Sequence, residues 1–116
     1  MMKVVSINNA EAKESTDKIF KGKVSVQSLI GESEDQLRVI MVNFSPGGVN
    51  VFHNHTFDQV LYVTEGKGIV ATENKEVTVT PGTVIFIPAG EKHWHGATED
   101  SAFSHIAVMP PGHTSF

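Results

Sequence analysis

The sequence predicts an all-β chain folded as a single closed barrel or jelly roll, on three observations. Fifteen Val and eight Ile stand against three Leu, a β-branched bias that suits pleated sheet and disfavours helix. Short apolar runs alternate with breaks rich in Pro and Gly. The chain has 116 residues, room for one core and no second.

Residues 1–20 are polar and weakly patterned, and read as an N-terminal arm or edge strand. The barrel is expected over 21–110, with strands at 23–30, 37–44, 49–55, 59–64, 68–72, 76–80, 83–87 and 102–109. The acidic run Glu32-Ser33-Glu34-Asp35 separates the first two as a solvated turn. Ile40, Val42 and Phe44 share one face of the second strand. Ser45-Pro46-Gly47-Gly48 ends that strand, because Pro fixes φ and Gly admits positive φ. Glu65-Gly66-Lys67-Gly68, Thr80-Pro81-Gly82 and Pro88-Ala89-Gly90 divide the later strands in the same way. Residues 111–116 read as a C-terminal tail.

Composition excludes several functions. Eight Lys and one Arg face thirteen acidic residues, for a net charge of −4, and no segment clusters the basic ones. Nucleic acid and anionic membranes are therefore not expected partners, since phosphate binding needs a basic face. No apolar run approaches the roughly 18 residues of a membrane span. The N-terminus lacks the apolar core of an export signal, which leads to the expectation of a cytoplasmic protein. Without cysteine there is no disulfide, thiolate nucleophile or Cys-type zinc site. Nucleophile-elbow, phosphate-loop and H-E-x-x-H patterns are also absent.

The six histidines all lie at or after residue 53, five of them at 53, 55, 93, 95 and 105. His53 and His55 are two apart in an expected strand, so their imidazoles share a face, as two ligands of one metal must. Gln59 falls in phase with Leu61 and Val63 on the inward face of the next strand. His93 and His95 form a second same-face pair, with Trp94 pointing the other way into packing or a subunit contact. Imidazole suits manganese, iron, cobalt, nickel and zinc alike. Ile40 and Val42 are expected to line a substrate pocket. His113, in the tail, is not assigned a role.

Gly47, His53, His55 and Gly66 match the first cupin motif, G-x5-H-x-H-x3-E-x6-G, with Gln59 at the Glu position. Gly82, Pro88, Gly90 and His93 match the second, G-x5-P-x-G-x2-H-x3-N, with Ala97 in place of Asn. The chain thus resembles the cupin superfamily, which implies a single-domain jelly-roll barrel with a metal at His53, His55, Gln59 and His93. Lys92-His93-Trp94-His95-Gly96-Ala97 and Ser104-His105-Ile106-Ala107 resemble small cupins that include manganese-dependent hydroxynitrile lyases and carboxymuconolactone decarboxylase-associated domains. That resemblance implies manganese as the ion, with iron, nickel and zinc compatible. It also implies a small-molecule substrate, a homodimer, and His105 and His95 as the acid/base pair. Asn50 stands where those lyases place a hydroxyl residue beside the substrate.

Three neutral imidazoles and a neutral amide leave the charge of a divalent ion uncompensated, so such a site attracts anions and acts as a Lewis acid. The leading expectation is a small-molecule metalloenzyme that uses the bound ion as a Lewis acid with His105 or His95 moving a proton, hydroxynitrile cleavage being one such reaction. An iron-dependent dioxygenase of small organic molecules and a non-catalytic module binding a small ligand or metal are the alternatives.

Overall fold

A computed structural model describes the whole chain, Met1 to Phe116. Its strands are β1 (Lys13–Glu14), β2 (Phe20–Lys21), β3 (Val24–Ile30), β4 (Arg38–Phe44), β5 (Val49–Asn50), β6 (Asn54–His55), β7 (Gln59–Gly66), β8 (Gly68–Thr72), β9 (Glu76–Val79), β10 (Val84–Ile87), β11 (His93–Ala97), β12 (Phe103–Met109) and β13 (Thr114–Ser115). One 3-10 turn, Ile7–Asn9, precedes them, and no helix is long and apolar enough to cross a membrane. Two sheets, ordered β1-β3-β4-β12-β7-β10 and β2-β5-β11-β8-β9, enclose the core, and β13 pairs with β6 in a third. Every pairing is antiparallel, which gives the jelly roll that the β-branched composition predicts.

β12 shows how alternation builds the interior. Phe103, His105, Ala107 and Met109 are buried while Ser104, Ile106 and Val108 between them are only half-buried. Phe103 joins Val24, Val42, Phe44, Val63, Val79 and Ala97 in one apolar cluster. Ala107 and Met109 join Phe57, Leu61 and Ile87 in a second. His105 sits between the two, so the interior changes from hydrocarbon to imidazole partway along one strand. The pairing of β12 with β7 also slips there, stepping from Ser104–Glu65 to His105–Val63 and leaving Thr64 as the extra residue. Such a bulge turns side chains locally and is common beside binding sites.

The structure departs from the expected strands in two places that matter for function. Residues 49–55 are not one strand. The chain leaves the five-stranded sheet after Asn50, and His53 then exchanges backbone hydrogen bonds of 2.9 Å in each direction with His93 before β6 begins. Residues 93–97, absent from the expected strands, form β11, whose single large apolar residue, Trp94, gives no strand-like run. Gly96 is required in β11, because a Cβ there would lie 2.5 Å from both the Gly48 carbonyl oxygen and the Val49 Cα. Its absence lets β5 approach closely enough to set Asn50 against His95. Gly66 ends β7 with φ +78°, and a Cβ there would fall 1.8 Å from the Ala102 carbonyl oxygen.

Candidate metal centre

His53, His55 and His93 converge in the mouth of the barrel, with one ring nitrogen from each lying within 4.8 Å of the other two. Their orientation follows from what the opposite ring nitrogens do. His53 Nδ1 donates to the Val51 carbonyl at 2.7 Å, and His93 Nδ1 donates to the Glu91 carbonyl at 2.8 Å. A carbonyl only accepts, so both Nδ1 atoms carry the proton and both Nε2 atoms present a lone pair. His55 Nδ1 lies 2.8 Å from Thr114 Oγ1, a hydrogen bond that orients its ring. Nε2 of His55, Nε2 of His93 and Oε1 of Gln59 are buried without any hydrogen-bond partner. Buried polar atoms are rarely left unpaired. Three converging ring nitrogens, with the Gln59 amide lining the same cavity, fit a divalent first-row ion, and the outer hydrogen bonds of the imidazoles are those that orient metal-bound rings.

Deeper in the same cavity of about 500 Å³ lie His95, His105 and Asn50, with Ile40 and Val42 forming part of the wall. Asn50 Oδ1 accepts the His95 backbone N–H at 2.7 Å, and its amide nitrogen lies 3.3 Å from His95 Nε2. Asn50 therefore positions His95. The His105 ring packs 4.8 Å from His95, 5.7 Å from Phe44 and 5.6 Å from Phe103. Both of its nitrogens are buried without a partner. Trp94 is half-buried on the opposite face of β11, beside Phe52 and Val49.

Burial dominates the electrostatics. Desolvation, countered in part by the Val51 carbonyl and reinforced by neighbouring imidazoles, pushes His53 down from 6.5 to about 3. Desolvation, reinforced by the charge of His93 and less strongly by Arg38 and countered in part by Gln59, brings His55 to about 4. Burial likewise lowers His93, and it holds His95 well below the ordinary range. His105 falls to about 4, again through desolvation. All five are thus neutral at physiological pH, the state in which imidazole binds a metal or accepts a proton.

Sequence reasoning passed over the chain end. Thr114 in β13 supports His55, and Phe116 lines the cavity. His113 pairs with Glu34. Neither Thr114 nor Phe116 belongs to a motif, and only the pairing of β13 with β6 brings them to the site. Thr114→Val keeps the shape and removes the hydroxyl that orients His55. It should weaken metal binding about 10- to 100-fold, read by competition with a chelator, with little change in thermal midpoint for the metal-free protein.

Two sheets closed around a mouth that carries three converging histidines define the cupin class. The chain belongs to it: residues 40–112 match the Cupin domain family. It is 36% identical over 92 residues to an (R)-mandelonitrile lyase of Granulicella tundricola, covering 78% of this chain and 70% of that protein. An acireductone dioxygenase of Bacillus thuringiensis is 29% identical over 85 residues, covering 69% of this chain and 47% of the dioxygenase. Among solved structures, a cupin-like protein of Thermotoga maritima superposes with a TM-score of 0.83 at 30% identity, covering 89% of this chain and 82% of the other.

Proposed function

We propose that this protein is a metal-dependent lyase that binds a divalent ion through His53, His55, Gln59 and His93. It cleaves a carbon–carbon bond next to a hydroxyl group on a small molecule. The observation that carries this reading is His105, an imidazole 1% exposed, with both nitrogens unpartnered, beside the same cavity as the metal-ligating donors. Similarity to the mandelonitrile lyase supports the reaction type.

When bound, a divalent ion supplies Lewis acidity toward an oxygen or nitrogen atom of the substrate. The rest is the work of this chain. Neutral His105 accepts the hydroxyl proton, the carbonyl forms as the carbon–carbon bond breaks, and the electron pair departs with the leaving group. For a cyanohydrin that group is cyanide, which takes up the proton as hydrogen cyanide. His95, fixed by Asn50, packs edge-on to the His105 ring and holds it in place. Ile40 and Val42 wall the cavity with hydrocarbon and limit water. The reading includes manganese as the ion, a homodimer and a cytoplasmic setting. Manganese rests on the resemblance to small manganese cupins, and a dimer accords with the exposed apolar residues Tyr62, Val84 and Phe86 on one sheet face.

The test is benzaldehyde release from mandelonitrile by protein stripped of metal and then reloaded with manganese. Release that appears on loading and disappears with chelator is the expected result, and none above the stripped sample would remove the lyase reading. The second reading, an iron-dependent dioxygenase, is favoured by the three neutral imidazoles and the similarity to the acireductone dioxygenase. Iron-dependent oxygen uptake with a small organic substrate would establish it. Saturable binding without turnover under either metal would indicate a non-catalytic module.

A further inference from the structure

The single arginine of this chain opens into the same cavity as the histidines. Arg38 is the first residue of β4 and shares the inward face with Ile40, Val42 and Phe44. Its guanidinium makes no ion pair, since the salt bridges of the structure are Lys67–Asp100 and His113–Glu34. Its Nε is buried without a hydrogen-bond partner. Two carboxylates lie on the same cavity wall, and neither comes within ion-pair distance of the guanidinium. Asp17 accepts the Ile19 N–H at 3.0 Å, and Glu34 pairs with His113. The cavity therefore holds an unpaired cation although the whole chain carries −4.

We propose that Arg38 is an anion receptor and that the native substrate is a small organic carboxylate, bound through that group by Arg38. This rests on the lyase reading for the reaction and goes beyond it in naming the substrate class. A planar guanidinium offers paired N–H donors matched to a carboxylate, and such charge-assisted pairs are the stronger hydrogen bonds. The donors at the barrel mouth add no negative charge to oppose an incoming anion. A volume of about 500 Å³ accommodates a molecule of roughly ten heavy atoms.

Mandelate and mandelamide share a skeleton and differ in charge, so calorimetric titration with each isolates the carboxylate. The comparison is made on metal-free and manganese-loaded protein, as wild type, Arg38→Gln and Arg38→Lys. Wild type is expected to prefer mandelate by about tenfold or more without metal. Arg38→Gln should lose that preference while binding mandelamide as before, and Arg38→Lys should keep part of it. Equal binding of the two probes by metal-free wild type, or an unchanged preference in Arg38→Gln, would overturn the proposal. The metal-free arm reads Arg38 independently of the ion. Failure of the lyase reading would appear instead as the absence of metal-dependent turnover with every substrate. Metal content of the Arg38 variants equal to wild type is also expected, since Arg38 is not among the donors.

Discussion

Replacing His105 with Phe is expected to leave the chain at least as stable at neutral pH while lowering turnover about 10²- to 10⁴-fold. Both effects follow from the same two unpartnered nitrogens. A buried imidazole that makes no hydrogen bond has lost its water and gained nothing, so a ring of similar shape against Phe44 and Phe103 removes that cost. On the proposed lyase reaction, activity falls because the group that accepts the substrate proton is gone. A residue retained against stability in this way is one held for its chemistry.

The pH dependence of the metal-free protein distinguishes the same variant. His105 titrates at about 4 in the fold and near 6.5 when unfolded. The unfolded chain therefore binds the proton first as pH falls. The stability associated with a neutral His105 is complete above pH 6.5 and is lost as pH drops from there toward 4. A depression of this size corresponds to about 3 kcal/mol. Denaturant midpoints between pH 7 and 4.5 should fall less steeply for His105→Phe than for wild type. Parallel curves would show that burial of His105 carries no such linkage.

His93→Ala should abolish metal binding, from about one ion per chain to none detectable by mass spectrometry. His93 is 0% exposed and belongs to the convergent trio, with its ring centroid 4.1 Å from that of His53 and 5.2 Å from that of His55. The backbone bridge between residues 53 and 93 uses N–H and C=O groups that alanine retains, so the local fold persists. Loss of the ion with retained β-sheet circular dichroism is the expected pair of results. A full equivalent of metal in His93→Ala would place the ion elsewhere.

Much of this centre was legible because its residues obey strand periodicity. Gln59, Leu61 and Val63 alternate inward along β7, and His93 and His95 do so along β11. The glycines and prolines of the motifs fixed the turns on either side. The break between Asn50 and Asn54 was hidden, because the pairing of His53 with His93 is long-range and leaves no local pattern. Arg38 was passed over for another reason. A lone basic residue at the start of a strand looks like solvated surface, although it is in phase with Ile40, Val42 and Phe44 on the inward face. Thr114 was out of reach for sequence reasoning, since its partner His55 lies 59 residues away.

The larger sheet has its last long strand in the middle. β12 lies between β4 and β7 and is synthesised after both. As the chain leaves the ribosome, the β3–β4 hairpin and the β7–β10 pair each wait with an open edge, and neither can reach the other until residue 109 has emerged. Closure of this sheet is thus a late event dominated by distant contacts, which makes it slow. A chain interrupted before β12 would expose two unpaired edges at once, ready templates for aggregation.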